Sequence, residues 1–421
     1  MIHDALLEFF AAVFLMVLVA RLFGELARRT KLPSLIGEIF AGMLLGTTAL
    51  NIIQPTSDLT TVTNISLFLI MFLTGLHLDS EEILKAGRRA MLISIPGFVL
   101  PLVLGSVVAF HYGLDLRESL AVGLTLSITA VPVNSIILMD LGILNTSLGT
   151  TVLTAGVIDD QVSLVMLGII LQLPANATSV AVNYGSLLLS IGEVLLFVGS
   201  VLVAATLLAR HPAWVRLRLP KLNSKLIARE SSLSLLLIFG IGVSLLAEAM
   251  GLHFIIGAYF AGIVAKQAIG DAGLTRDLDV LSGVTFAVFA PLLFAYIGIQ
   301  LNPYALGGVL TLFLVLLLVG IAGKMVGGFA GASVGRFSTN DSLLVGALLN
   351  SRGMVELVIA SLIYQEGLIS LTIFTVVVAI GIITTTMSAV LSRAFVRTSP
   401  DQTLTVAETP SKTNPSGLGA Q

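Results

Sequence analysis

The chain is 421 residues long, 56% hydrophobic and only 11% charged, with a mean hydropathy of +1.03. That composition excludes an ordinary soluble core and describes a polytopic membrane protein whose partner is the lipid bilayer. A net charge of −2 with no gathered basic face argues against nucleic acid, and zero cysteines exclude disulfides, thiolate nucleophiles and Cys-based metal sites.

In chain order, polar loops leave about thirteen apolar segments, each near the length a helix needs to cross a bilayer. They run over 6–24, 33–50, 59–77, 91–111, 119–140, 148–173, 184–209, 231–250, 252–267, 280–300, 306–331, 341–365 and 369–394. The start, Met1-Ile2-His3-Asp4, lacks the basic flank of a signal peptide, so the first segment reads as a retained span. Lys and Arg gather after odd-numbered spans, as Arg21, Arg28, Arg29 and Lys31, then Lys85, Arg88 and Arg89, then Arg210 to Arg229, and Arg393 and Arg397 at the end. The positive-inside rule then puts the N-terminus outside and the C-terminus in the cytoplasm. The predicted fold class is all-α, with residues 1–395 as one transmembrane domain and 396–421 as a polar cytoplasmic tail expected to be disordered.

Two motifs recur seven spans apart. "IGEIFAG" at 36–42 in span two returns as "IGAYFAG" at 256–262 in span nine, and Gly75-Leu76-His77-Leu78 in span three returns as Gly298-Ile299-Gln300-Leu301 in span ten. An odd offset reverses direction. Spans one to six and eight to thirteen therefore read as inverted-topology repeats, joined by span seven and the basic loop 210–229, an architecture of secondary transporters. Helix packing through small residues is the plainer reading of the same motifs. Spans five and twelve correspond, and each carries a signal for a broken helix. Span five has "ITAVPVNS", where Pro132 removes a donor and Thr129, Asn134 and Ser135 can take up freed hydrogen bonds; span twelve has "LNSRGMVE", with Arg352 and Glu356 in a polar stretch lacking proline.

Span six contains "TAGVIDDQVSLVML", in which Asp159 and Asp160 sit in a run that otherwise suits hydrocarbon. An ionised side chain at the bilayer centre costs about 2.5–3.5 kcal/mol on insertion scales, so an unused one is not expected. Neighbouring helical residues diverge by about 100°, which lets one carboxylate face a cavity and the other a neighbouring helix. Lys324 in "GIAGKMVGG" is the deepest lysine, a natural counter-ion for one aspartate; the other can hold Na⁺ or a proton with help from Thr129, Ser127 or unwound carbonyls. Competition of a cation and a proton for one carboxylate makes an exchanger, whereas a static salt bridge in a sensor or channel subunit is the plainer reading. Arg352 and Glu356, spaced i, i+4, are expected to pair structurally on one helix face. Glu38, Glu193 and Glu248 read as crevice-lining or snorkelling carboxylates, Asp140 as a helix-end residue, and no histidine is assigned a metal. No HExxH or GxSxG falls in a span, so an intramembrane hydrolase is disfavoured.

The run from "SITAVPVNS" through "VIDDQV", with Lys324 in "GKMVGG" and with "LNSRGMVELVIA", resembles the second family of monovalent cation:proton antiporters over residues 6–395. That family includes bacterial sodium/proton exchangers and Kef-type potassium efflux systems. The resemblance implies a homodimer with the first spans at the dimer interface, and a moving core of spans four to six and eleven to thirteen. It implies that Asp160 binds the ion or proton, that Asp159 pairs with Lys324, and that Thr129 lies beside the site. Adjacent acidic residues resemble electrogenic members and favour Na⁺ (Li⁺)/H⁺ exchange, with a part in pH homeostasis, across the plasma (inner) membrane. Arg352-Gly353-Met354 with Glu356 is similar to a form that also occurs in K⁺-linked relatives, which keeps K⁺/H⁺ exchange as the alternative. The tail has no GxGxxG, so no nucleotide-gating domain is expected, and the exchange requires no cofactor beyond the transported Na⁺ and H⁺.

Overall fold

The computed structural model describes residues 2–30, 32–78, 80–173, 192–194, 196–201, 203, 207, 231–269 and 271–396. Most of predicted span seven, the connector 210–229 and the tail after Val396 lie outside the described residues. Among these residues all regular structure is helical: α1 (Ile2–Arg29), α2 (Ser34–Leu45), α3 (Ser57–Leu76), α4 (Ser80–His111), α5 (Leu116–Thr125), α6 (Val131–Asp140), α7 (Ser147–Leu171), α8 (Ser231–Ala249), α9 (Phe254–Ile269), α10 (Asp271–Val284), α11 (Ala290–Gln300), α12 (Leu310–Val334), α13 (Thr339–Leu349), α14 (Met354–Gln365) and α15 (Leu371–Val396). A π turn, Thr285–Phe289, joins α10 to α11, and a 3₁₀ stretch, Pro303–Val309, leads into α12. Nine helices among the described residues are long and apolar enough to cross a membrane, and α2, α6 and α9 are shorter apolar helices beside them. The chain is a multi-pass membrane protein.

Segments 119–140 and 341–365 are each two helices, α5 with α6 and α13 with α14. Segment 33–50 is too long as predicted. Apolar composition continues past Leu45, but Gly46 turns extended (φ −74, ψ −177) and Asn51 adopts a left-handed φ of 51, so the chain folds back. Segment 280–300 extends backwards instead, because α10 runs through the π turn into α11 without a stop.

Glycines set the packing of the repeat. A Cβ on Gly37 of α2 would overlap the Phe23 carbonyl of α1, and one on Gly42 would overlap the Ala295 carbonyl of α11. In the other half, a Cβ on Gly257 of α9 would sit 2.6 Å from Ser244 Cα of α8, and one on Gly262 would overlap the Phe72 carbonyl of α3. The contacts are the same set with the halves exchanged: α1, α2 and α11 on one side, α8, α9 and α3 on the other. Lipid supplies no hydrophobic drive between helices, so such backbone-to-backbone approach is what holds them together. A second glycine stripe on α12 does this for the other bundle, where Gly323 packs on Pro101, Gly327 on Pro96 and Gly331 on Leu92, all of α4. That stripe flanks Lys324 and packs α12 closely against α4, the helix that carries Ser94.

Candidate ion-binding site

The two helix breaks meet at the centre of this bundle. Ala130 N–H donates to the Ser351 carbonyl at 3.0 Å, and Ser351 Oγ donates to Asn134 Oδ1 at 2.7 Å, so each break satisfies backbone groups of the other. Pro132 lies in the first turn of α6, where its missing N–H would have no helical partner. Gly353 is required by proximity, because a Cβ there would lie 2.6 Å from Ala130 Cβ.

A break exposes helix ends, and the buried cations answer them. Arg352 Nη1 and Nη2 donate to the carbonyls of Thr125 and Leu126 at the C-terminal end of α5, and Lys324 Nζ donates to the next carbonyl, that of Ser127. Positive charge at a helix C-terminus is favourable, as is the Glu356 carboxylate in the first turn of α14. Glu356 Oε1 sits 3.6 Å from Arg352 Nη1 with both residues 1% exposed, but Arg352 precedes α14, so the two do not share a helix face as expected. Arg352 instead ties α14 to α5, while its backbone N–H donates to Thr385 Oγ1 of α15 at 2.8 Å.

Asp159 is fully buried and fully occupied. It accepts from Ser94 Oγ at 2.6 Å and from Thr129 Oγ1 at 2.7 Å, with Lys324 Nζ 3.3 Å from Oδ2. Lys324 Nζ also donates to Thr129 Oγ1 at 2.6 Å. Thr129 and Ser127 therefore serve the Asp159–Lys324 pair in this structure, not the free carboxylate: the Ser127 hydroxyl is turned to the Gly123 carbonyl at 2.7 Å and only its carbonyl reaches the lysine. The expected help from Thr129, Ser127 or unwound carbonyls at the second aspartate is thus, in this structure, given to the Asp159–Lys324 pair.

Asp160 differs from its neighbour by one helix step and by environment. It is 4% exposed, its Oδ1 has no hydrogen-bond partner among the described residues, and it lines a cavity of about 1090 Å³. The cavity runs from exposed Arg28, Asp140 and Arg393 inward to Asp160, with Glu38, Thr74, Pro132 and Tyr259 in its wall. At its mouth Arg393 Nη2 lies 3.3 Å from Asp140 Oδ2, so Asp140 has a partner on α15 beyond its own helix end. At the crossing, three buried carboxylates, Asp159, Asp160 and Glu356, face two buried cations, Lys324 and Arg352, leaving formally one negative charge in excess. One monovalent cation or one proton would neutralise it, and the cavity opens to Asp160.

Sequence reasoning missed Ser94, whose only signal was a serine within an apolar span, and Tyr259, noted only as part of the repeat. Glu38 is where a crevice-lining carboxylate was expected, buried in the cavity wall. Glu248 Oε2 accepts from the Phe254 N–H at 2.9 Å and so serves the start of α9, and Glu193 is exposed.

Known proteins resemble this chain in sequence and in fold. The profile of the transmembrane sodium/hydrogen exchangers matches residues 14–395. A Na⁺/H⁺ antiporter of Enterococcus hirae is 28% identical over 351 residues, covering 83% of this chain and 88% of that protein. The Na⁺/H⁺-K⁺ antiporter GerN of Bacillus cereus is 28% identical over 360 residues, covering 84% and 87%. Among solved structures, the sodium proton antiporter MjNhaP1 of Methanocaldococcus jannaschii superposes with a TM-score of 0.69 over 93% of this chain and 97% of that one, at 16% identity, and so shares the fold. With its two helix breaks crossed beside a paired and an unpaired aspartate, the chain belongs to the sodium/hydrogen exchanger family.

Proposed function

We propose that this protein exchanges Na⁺, and Li⁺, for H⁺ across the plasma membrane, with Asp160 binding cation and proton in turn. The observation that carries this is the single excess negative charge at the crossing, placed on a buried carboxylate that opens to a water-accessible cavity. A bare Asp160 is expensive to move through the membrane, whereas the loaded or protonated form is neutral, so the empty carrier is held back and leak is suppressed. The Asp159–Lys324 pair, already neutral, fixes the first break through Thr129 and Ser127. Exchange at Asp160 alone is one cation for one proton and electroneutral; electrogenic exchange requires a second proton, for which Lys324, once released from Asp159, is the carrier at hand.

The positive charges at the cavity mouth support a cytoplasmic location for that end, so the state described is inward-facing, with the N-terminus outside. In this reading α1–α3 and α8–α11 form a static scaffold and α4–α7 with α12–α15 rock against it. The outward stripe of α1, with Leu7, Phe10, Phe14 and Leu22 all at least 60% exposed, supports a homodimer through the first spans. The name of the Bacillus cereus relative includes K⁺, which makes K⁺ the cation to compare with Na⁺.

Cation binding tests the competition directly. Adding NaCl to the purified protein in weakly buffered detergent is expected to release protons, with none released on adding the same concentration of choline chloride. Replacing Asp160 by Asn is expected to abolish the release; an undiminished release from that variant would rule out Asp160 as the shared site.

A further inference from the structure

The oxygens around Asp160 are unevenly supplied. At the crossing, Thr129 Oγ1 and the carbonyls of Thr125, Leu126 and Ser127 are all taken by Lys324 and Arg352. From α9, Tyr259 lines the same cavity as Asp160. Its side chain is fully buried, yet its hydroxyl has no hydrogen-bond partner among the described residues. A buried tyrosine hydroxyl normally finds one, so an unpartnered phenol at the cavity that also reaches the Asp160 carboxylate points to a ligand. The base of the side chain is fixed, because the Tyr259 carbonyl packs on Gly75 of α3 and the ring meets Phe260 edge-on at 5.5 Å.

We propose that Tyr259 is a cation ligand supplied by the opposite half of the molecule: its phenol oxygen joins Asp160 around the carried monovalent cation, directly or through one water. Hard cations take oxygen ligands, and a neutral phenol adds one without adding charge, so the neutrality of the loaded site is kept. Such a ligand pair spans the moving bundle and the scaffold, Asp160 on α7 and Tyr259 on α9, so the ligand set changes when one rocks against the other. Cation affinity then differs between the two sides of the exchange cycle by whatever Tyr259 contributes. This inference rests on Asp160 being the exchange site.

Tyr259→Phe removes only the hydroxyl and leaves the ring packing in place. In proteoliposomes, the apparent KM for the cation that wild type carries is expected to rise about tenfold, the scale of one lost polar contact to a charged group, with the maximal rate retained. In detergent, the basal melting temperature is expected to hold or rise, because an unpartnered buried hydroxyl is gone, while the cation concentration for half-maximal thermal stabilisation shifts upwards by the same factor. An unchanged KM, or a lowered basal melting temperature with an unshifted midpoint, would overturn the proposal and make Tyr259 a packing residue. Absence of exchange in the wild-type protein would instead remove the Asp160 reading on which it rests.

Discussion

Asp159 and Asp160 are adjacent in sequence and opposite in circumstance. Asp159 has Ser94, Thr129 and Lys324 around it, whereas Asp160 Oδ1 has no partner among the described residues and a cavity before it. Their substitutions are therefore expected to fail differently. Asp160→Asn removes an uncompensated buried charge, so the melting temperature should hold or rise while exchange falls at least a hundredfold. Lys324→Ala leaves the Asp159 carboxylate buried with hydroxyl partners alone, and loss of one partner of a buried pair costs about 3–5 kcal/mol, read as a clear fall in melting temperature. Equal destabilisation by the two would contradict the division of roles. These three residues were legible in the sequence because charge within an apolar span is costly and therefore conspicuous. Ser94 and Tyr259 were not, since a serine or tyrosine within a membrane helix is unremarkable until its neighbours are known.

The crossing depends on two breaks that each lend the other hydrogen bonds. Gly353→Ala would place a Cβ 2.6 Å from Ala130 Cβ and push α14 from the first break. The expected loss is about 1–3 kcal/mol of stability, as for overpacking elsewhere, together with reduced exchange, and retention of both would show that the crossing tolerates separation. Arg352→Ala should be worse, because it leaves the Thr125 and Leu126 carbonyls without their donor and Glu356 without its cation. Proline made the first break readable, since it cannot continue a helix hydrogen-bond ladder. The second showed only as a polar run, Asn350 to Gly353, and the expected Arg352–Glu356 pair forms from the turn before α14 instead of along one helix face, because the helix begins after Arg352. Helix ends set by glycine, as at Gly46, were also beyond a hydropathy reading, which sees composition and not backbone direction.

The whole molecule places Asp160 at the inner end of one long cavity, and its access is testable because the chain contains no cysteine. Val157, half-buried in that cavity wall on the same helix as Asp160, is expected as Val157→Cys to react with a membrane-impermeant thiol reagent from the cytoplasmic side, and more slowly with Na⁺ present. Reaction from the outside alone would reverse the orientation. The inverted halves were legible from two short motifs, and the exchanged glycine contacts give those motifs a physical reason: both mark places where backbones touch. The cavity itself was not legible, because it is made by helices far apart in sequence. The most direct measurement of the central claim is proton flux in proteoliposomes under an imposed pH gradient, with Na⁺, Li⁺ or K⁺ added, comparing wild type with folded Asp160→Asn protein. Dissipation of the gradient by Na⁺ and Li⁺, lost in the variant, is the predicted result; flux that persists in the variant, or is absent from the wild type, would contradict exchange at Asp160.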